Sequence, residues 1–379
     1  MSLVFLAADF PPSRGGIQTV AHELPLAIHR SGEAVGVVTV CREGGTEFDE
    51  SCPYPVVRVP DGPKMQVAAN LSAGVSGLID QIPERPRAII AIKWFPEGLA
   101  AINTIKINRP KVVLIGHGRE FLLTGGNPLK WLAQKYILRQ IDVCVAVSHW
   151  TAEQFVRAGV PSKRVRVVNN GVRPEPFMEP HDLAPLRESL GIGDRPVLVT
   201  VGRLVERKGH ADVIRLLPSI IEQAGPVAYL IVGTGPEEKS LRDLATGLGL
   251  TDSVIFAGDV PGEDLPAYYQ LSDVFIMPTK EVRGDPLEGF GVVYLEANAA
   301  GKPVIATRCG GVTDAVRDGV SGLLVKPGDD DALVAAAARL LTDREYAAEL
   351  GRQGQERVRH DFNWDRVARR FLEVLSEGG

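Results

Sequence analysis

Glu288 and Glu296 enclose seven residues, with Gly289, Phe290, Gly291 and Val292 opening the interval and Val293, Tyr294 and Leu295 closing it. The glycines read as a turn, and the apolar residues after them read as the start of a helix. Upstream, Arg203 and Lys208 lie between Gly202 and Gly209, directly after the apolar run Val197–Val201. Carboxylates accept hydrogen bonds from hydroxyl groups, and guanidinium and ammonium groups neutralise phosphate. The set therefore suits a sugar joined to a nucleoside diphosphate. When the bond between such a sugar and its diphosphate breaks, charge builds on the bridging oxygen. Fixed cations stabilise that charge without a metal ion. A helix start adds free backbone N–H groups for the phosphates. By the ~3.6-residue period, Glu296 is expected about two turns into the helix. There it would reach the ribose, while Glu288 in the turn would meet the sugar. Tyr294, Leu295 and Ala297 around Glu296 are residues that bury, and a buried carboxylate needs a partner. The bland alternatives are a solvated helix position for Glu296 and solvated surface cations for Arg203 and Lys208.

Weaker signals have the same form. The first apolar stretch runs into Gly15 and Gly16, which open a helix. Glycine lets backbone approach a ligand closely, but a tight turn would look identical. Gly310 and Gly311 repeat the device before Val312 and Asp314. His117 sits between Gly116 and Gly118 after the run Val112–Gly116, at the edge where a ligand would lie. A structural histidine is the competing reading.

These residues need a scaffold that places loops at one edge, and the sequence supplies it. Short β-branched runs alternate with helical stretches, the pattern of a parallel sheet covered on both faces. Strands are expected at Leu3–Ala7, Ala34–Val40, Val56–Val59, Ala88–Ile92, Val112–Gly116, Val143–Val147 and Val165–Val168. A second series covers Val197–Val201, Ala228–Val232, Val254–Ala257, Val274–Met277, Val304–Ala306 and Gly322–Val325. Between the series, Asn169–Pro176 contains one glycine and two prolines and reads as a hinge. A chain of 379 residues exceeds one ordinary core. The expected architecture is α/β, with two doubly wound Rossmann-like domains facing a cleft. The first covers 1–172, the second 173–360, and a terminal helix over 361–379 packs back on the first.

Charge is uneven. The net formal charge is −5, yet residues 1–175 hold 20 Lys and Arg against 15 Asp and Glu. A basic half on an acidic chain fits an anionic partner for that half, or uneven surface charge with no partner. Cys41, Cys52, Cys144 and Cys309 show no metal or redox spacing, so free thiols in a reducing cytoplasm are expected. The opening apolar residues lack the basic start of a secretory leader and read as a buried strand. No apolar run is long enough to span a bilayer. No metal-ligand cluster, P-loop or dinucleotide fingerprint occurs. No metal, no cofactor and no nucleic-acid partner is expected.

The Gly15-Gly16 loop, Asn170-Gly171-Val172, Gly202-Arg203 with Lys208, Gly233–Pro236 and the two spaced glutamates together resemble family 4 of the retaining glycosyltransferases. That family has the two-domain GT-B fold. The resemblance covers nearly the whole chain, and the closing Phe362-Asn363-Trp364 segment shares in it. Phe10–Pro12, Gly15–Gln18, His117-Gly118 with Glu120, and Glu288–Glu296 are similar to bacterial phosphatidylinositol mannoside mannosyltransferases. The resemblance implies that Arg203 and Lys208 bind the donor diphosphate. It also implies that Glu296 binds the ribose, Glu288 and His117 meet the transferred sugar, and the Gly16 amide meets donor phosphate or sugar. The base would lie near Asp259, Val260 and Pro261. It implies a nucleotide-sugar donor, with GDP-mannose favoured, and an acceptor that is a lipid, a saccharide or a small metabolite. Arg173 and Asp314 depart from the residues usual in the family. A sugar-nucleotide epimerase shares the architecture, and a UDP-sugar transferase with a soluble acceptor shares the motifs. A catalytically dead sugar-binding protein is a third reading, and the intact Arg203, Lys208 and Glu288 count against it. An anionic lipid surface is expected as partner for the first domain. In Pro128–Arg139, the cations Lys135 and Arg139 lie one turn apart among Trp131, Leu132 and Tyr136, as in an interfacial helix. An ordinary helix packed on its sheet is the alternative. A cytoplasmic protein, peripheral at the inner membrane face, would follow.

Overall fold

The computed structural model describes residues 2–82, 84–104, 110–118, 127–282, 285 and 287–377. Every strand expected from the sequence forms, with ends shifted by at most two residues. They are β1 (Ser2–Ala7), β2 (Ala34–Val40), β3 (Val56–Val59), β4 (Pro86–Ala91), β5 (Lys111–Gly116), β6 (Val143–Ala146) and β7 (Val165–Val167). The second series is β8 (Val197–Val201), β9 (Ala228–Val232), β10 (Val254–Gly258), β11 (Val274–Met277), β12 (Val304–Thr307) and β13 (Gly322–Val325). In the central strands the β-branched and aliphatic side chains are buried on both faces, as a parallel sheet between helices requires, whereas the edge strands β3, β7, β10 and β13 are partly exposed.

The first sheet has the order β3-β2-β1-β4-β5-β6-β7 and the second β10-β9-β8-β11-β12-β13. Every pair is parallel. Each sheet starts in its middle and reverses direction once, between β1 and β4 in one and between β8 and β11 in the other. At such a switch point the flanking loops part and leave a crevice beyond the carboxyl ends of the strands. The loops after β1, β4, β8 and β11 are therefore where ligands belong.

Contacts divide the chain into two units. One is Val172–Asn363, and the other comprises the residues before it together with those from Trp364 on. In the first unit Val4, Leu6, Ile89 and Leu114 pack against Leu71, Val75 and Leu78 of the helix Lys64–Ile79. The opposite face carries Phe5, whose ring lies 6.3 Å from Phe371 of the terminal helix Trp364–Ser376. That helix buries Val367, Ala368, Phe371 and Leu375, one face of a 3.6-residue period. The second unit builds its core from Leu198, Tyr229, Ile231, Ile276 and Ile305, with Val213 and Leu217 of the helix His210–Ala224 among them. Among the described residues no helix is long and apolar enough to cross a membrane. The four cysteines are free.

Candidate active site

The second unit gathers charge at its switch point. After β8 the chain passes Gly202 and the exposed Arg203, then forms a 3-10 turn over Glu206–Lys208. Gly209, in the left-handed region, leads into the helix His210–Ala224. This turn points Lys208 inward, where it is 7% exposed. Its Nζ donates to Glu288 Oε2 at 2.7 Å, and Arg207 donates to the same oxygen at 3.1 Å. Arg207 also lies 3.4 Å from Asp285. Burial raises the Glu288 carboxyl, but Lys208 and Arg207 outweigh it and hold the group down to about 2. Glu288 is thus ionised throughout the physiological range.

Backbone geometry fixes that carboxylate. Gly311 N–H donates to the Glu288 carbonyl at 2.8 Å. Gly310 has a φ of +58°, and a Cβ there would stand 2.4 Å from the same carbonyl oxygen. Gly291, with a φ of +90°, caps the helix Val292–Ala299, and a Cβ on it would strike the Tyr294 ring. Both glycines are therefore required where they stand. The helix begins at Val292, so Glu296 sits in its second turn rather than two turns into it. The glycine-bearing stretch before Val292 is irregular, and it consumes residues that a continuous helix would have counted.

Glu296 accepts a 2.6 Å hydrogen bond from the buried hydroxyl of Tyr269. Burial raises its pKa, against Tyr269 and the field of Lys208. Lys208 therefore acts on both carboxylates. Tyr294, Leu295 and Ala297 are fully buried beside it. Phe290 and Gly291 are buried as well, whereas Val292 is half-buried. Arg203 makes no ion pair or side-chain hydrogen bond with a described residue, so the structure does not bring it onto Lys208 or the acids. Val260 is half-buried in the loop after β10, beyond that strand's carboxyl end.

In the first unit Gly15 and Gly16 are exposed at the start of the helix Gly16–Arg30, which follows β1. His117 follows β5 and is buried, its Nε2 3.0 Å from the Ile92 carbonyl. Burial pushes its pKa down to about 4, so the ring is neutral at pH 7. Glu120 lies outside the described residues. Beside these, the loop after β4 carries a set that sequence reasoning passed over. Lys93 pairs with Asp9 and lies 3.5 Å from Glu97, whose Oε1 also accepts from the Ala8 N–H at 3.0 Å. The fully buried Glu97 is raised by desolvation. Arg207, Tyr269 and Asp285 were also passed over. Adjacency to Lys208 was the one visible sign of Arg207. Tyr269 and Asp285 are recruited by tertiary packing that no local spacing announces.

Among the described residues, no group of three or more His, Cys, Asp or Glu is placed to hold a metal ion. The arrangement can cradle a diphosphate with Lys208, Arg207 and helix-start amides, and it offers two carboxylates to hydroxyl groups.

Two doubly wound sheets with charged loops at their switch points define an α/β class that binds ligands beyond the carboxyl ends of its strands. Comparison with known proteins makes the assignment specific. Residues 14–176 match the model of Glycosyltransferase Family 4, and residues 184–357 match that of Glycosyl transferases group 1. The chain is 34% identical over 99% of its length to the GDP-mannose-dependent alpha-(1-6)-phosphatidylinositol monomannoside mannosyltransferase of Mycolicibacterium smegmatis, covering 98% of that protein. It is 31% identical, over 97% of itself and 96% of the relative, to the corresponding enzyme for monoacylated acceptor in Corynebacterium glutamicum. Its fold matches Anabaena Alr3699/HepE in complex with UDP and glucose, with a TM-score of 0.81, 23% identity and full coverage of both chains. The protein belongs to glycosyltransferase family 4 and has the GT-B fold.

Proposed function

We propose that this glycosyltransferase moves mannose from GDP-mannose to a phosphatidylinositol-based glycolipid with retention of configuration, working as a peripheral protein at the inner membrane face. The observation that carries the reading is Lys208, fixed by Glu288 at the switch point of the second unit, in a chain that aligns almost end to end with GDP-mannose-dependent enzymes. Lys208, with the exposed Arg203, neutralises the donor diphosphate. As the bond from C1 to the bridging oxygen breaks, they stabilise the charge that oxygen gains. The acceptor hydroxyl forms its bond to C1 on the face the diphosphate leaves. Its proton passes to a departing phosphate oxygen, giving GDP and the α-mannoside. Glu288 and neutral His117 hold sugar hydroxyls, and Glu296, kept in place by Tyr269, holds the ribose. No metal ion is required, because side chains and helix-start amides carry the compensating charge.

The test is a donor screen with GDP-mannose, UDP-glucose and UDP-N-acetylglucosamine, each with phosphatidylinositol monomannoside. GDP-mannose is expected to be consumed, and NMR of the product is expected to show an α-linkage. Preference for a UDP-sugar, a β-linked product, or free epimerised sugar nucleotide would each reject this reading.

A further inference from the structure

The loop from β1 to the helix Gly16–Arg30 has little means of holding its own shape. Pro11 and Pro12 carry no N–H, so two consecutive residues offer a turn no donor. Side chains on both flanks supply what the backbone lacks. On one flank the loop after β4 grips the start, where Glu97 accepts from the Ala8 N–H at 3.0 Å and Lys93 pairs with Asp9. On the other flank Arg58 reaches over from β3.

Arg58 is built into its place, with a side chain only 10% exposed. Its Nε and Nη2 fork onto the two oxygens of Asp49 at 2.7 and 2.9 Å. Nη1 donates to the Val40 carbonyl at 2.9 Å, and Nη2 also donates to the Pro11 carbonyl at 2.8 Å. Asp49 closes the short helix Gly45–Asp49, and Gly45 makes room for the guanidinium, since a Cβ there would stand 2.6 Å from the guanidinium carbon. Beside Pro11, the buried Phe10 ring meets Phe48 edge-on at 5.8 Å and His22 of the following helix at 6.1 Å. Pro11 and His22 are thus both fixed, and Gly15 and Gly16 lie between them.

A buried ion pair adds little stability beyond what apolar packing would give. What a forked guanidinium supplies is geometry. We infer that Arg58 is a positioning residue for sugar transfer: through the Pro11 carbonyl it sets where Gly15 and Gly16 stand at the switch point of the first sheet. The inference rests on the glycosyltransferase reading, in which those glycines meet substrate. Arg195 supplies a comparison within the same chain. It donates to the carbonyls of Gly191, Ile192 and Asp252, but it precedes β8 and so stands at the amino-terminal edge of its sheet, away from any crevice.

The experiment compares Arg58→Gln with Arg195→Gln in the full chain, using GDP-mannose and phosphatidylinositol monomannoside. Arg58→Gln is expected to lower kcat about tenfold or more, while calorimetry finds GDP affinity within about twofold of the parent, because the nucleotide belongs to the other unit. Arg195→Gln is expected to lower the unfolding midpoint and leave kcat unchanged. Gly45→Ala is the second variant. Alanine favours the helix, so its expected loss of about threefold or more in kcat reports the displaced guanidinium and not unfolding. Amide exchange reads the positioning without turnover. The Thr19 N–H, bonded to the Gly15 carbonyl at 2.9 Å, is expected to exchange roughly tenfold faster in Arg58→Gln and at the parent rate in Arg195→Gln. Parental kcat in Arg58→Gln overturns the inference, as does an equal loss in Arg195→Gln, or a loss of GDP affinity that matches the loss of kcat. If Arg58→Gln does not fold, parental kcat in Gly45→Ala overturns it. If the parent does not use these substrates, the donor and acceptor reading fails by itself, and unchanged Thr19 exchange in Arg58→Gln still overturns the positioning role.

Discussion

Lys208 and Arg203 were indistinguishable as cations in the sequence, and the structure separates them. Arg203 is exposed and unattached among the described residues, so Arg203→Ala is expected to cut turnover roughly a hundredfold or more while leaving the unfolding midpoint unchanged. Lys208→Ala is expected to lose at least as much activity and also stability. It leaves the Glu288 carboxylate with Arg207 as its remaining cation, so the loss is expected to fall below the ~3–5 kcal/mol of stripping a buried charge of its sole partner. Chemical denaturation of the two variants checks the contrast, and equal stability would contradict it. The acids divide in a similar way. Glu296→Gln is expected to weaken GDP binding, because its proposed partner is the ribose. Glu288→Gln is expected to slow transfer with little loss of GDP affinity. Calorimetric titration with free GDP decides, and equal losses in both variants would contradict the division.

At the scale of elements, what could be read in advance was whatever local spacing encodes. The central strands are buried on both faces, so their runs of Val, Ile, Leu and Ala announce themselves without an alternating pattern. The turns containing Gly15, Gly202, Gly291 and Gly310 were visible because glycine marks them. Lys93, Glu97 and Tyr269 were not, since Asp9, Ala8 and Glu296, which hold them, are distant in the chain, and the i,i+4 spacing of Lys93 and Glu97 is ordinary. The helix start after Gly291 was legible, and only the depth of Glu296 was overcounted, since four residues after Val292 is little more than one turn. Gly310→Ala tests how tightly the elements hold the site. A Cβ meets the Glu288 carbonyl at 2.4 Å, so the loop must shift. The variant is expected to lose activity by at least tenfold with the strands intact by circular dichroism. Wild-type turnover would show that the carbonyl position is immaterial.

The whole molecule carries a built-in acid sensitivity. His117 and His210 are buried and neutral, held down to about 4 and about 3, first by burial, with Lys208 adding to the effect on His210. Both would protonate near pH 6.5 once unfolded. The unfolded state therefore binds more protons below that pH, and stability is full above about 6.5 and falls as the pH drops toward 4. Urea denaturation at pH 7 and pH 5 is expected to show the fall, and His210→Phe is expected to flatten it. Neither ring nitrogen of His210 has a described partner to lose. A parent protein equally stable at both pH values would exclude buried neutral rings. A second whole-molecule expectation concerns metal. Turnover is expected to survive excess EDTA, and loss of activity that magnesium or manganese restores would rule out a metal-independent centre.

The terminal helix gives the molecule an order of assembly. Phe5 of β1 is synthesised long before Phe371, which packs beside it. Val172–Asn363 can close around its own sheet while the first unit still waits for Trp364 and the residues after it. A nascent chain stalled before that helix therefore displays an aliphatic sheet face to any chaperone or protease nearby. Synthesis of that helix, not only the composition of the core, hides that signal.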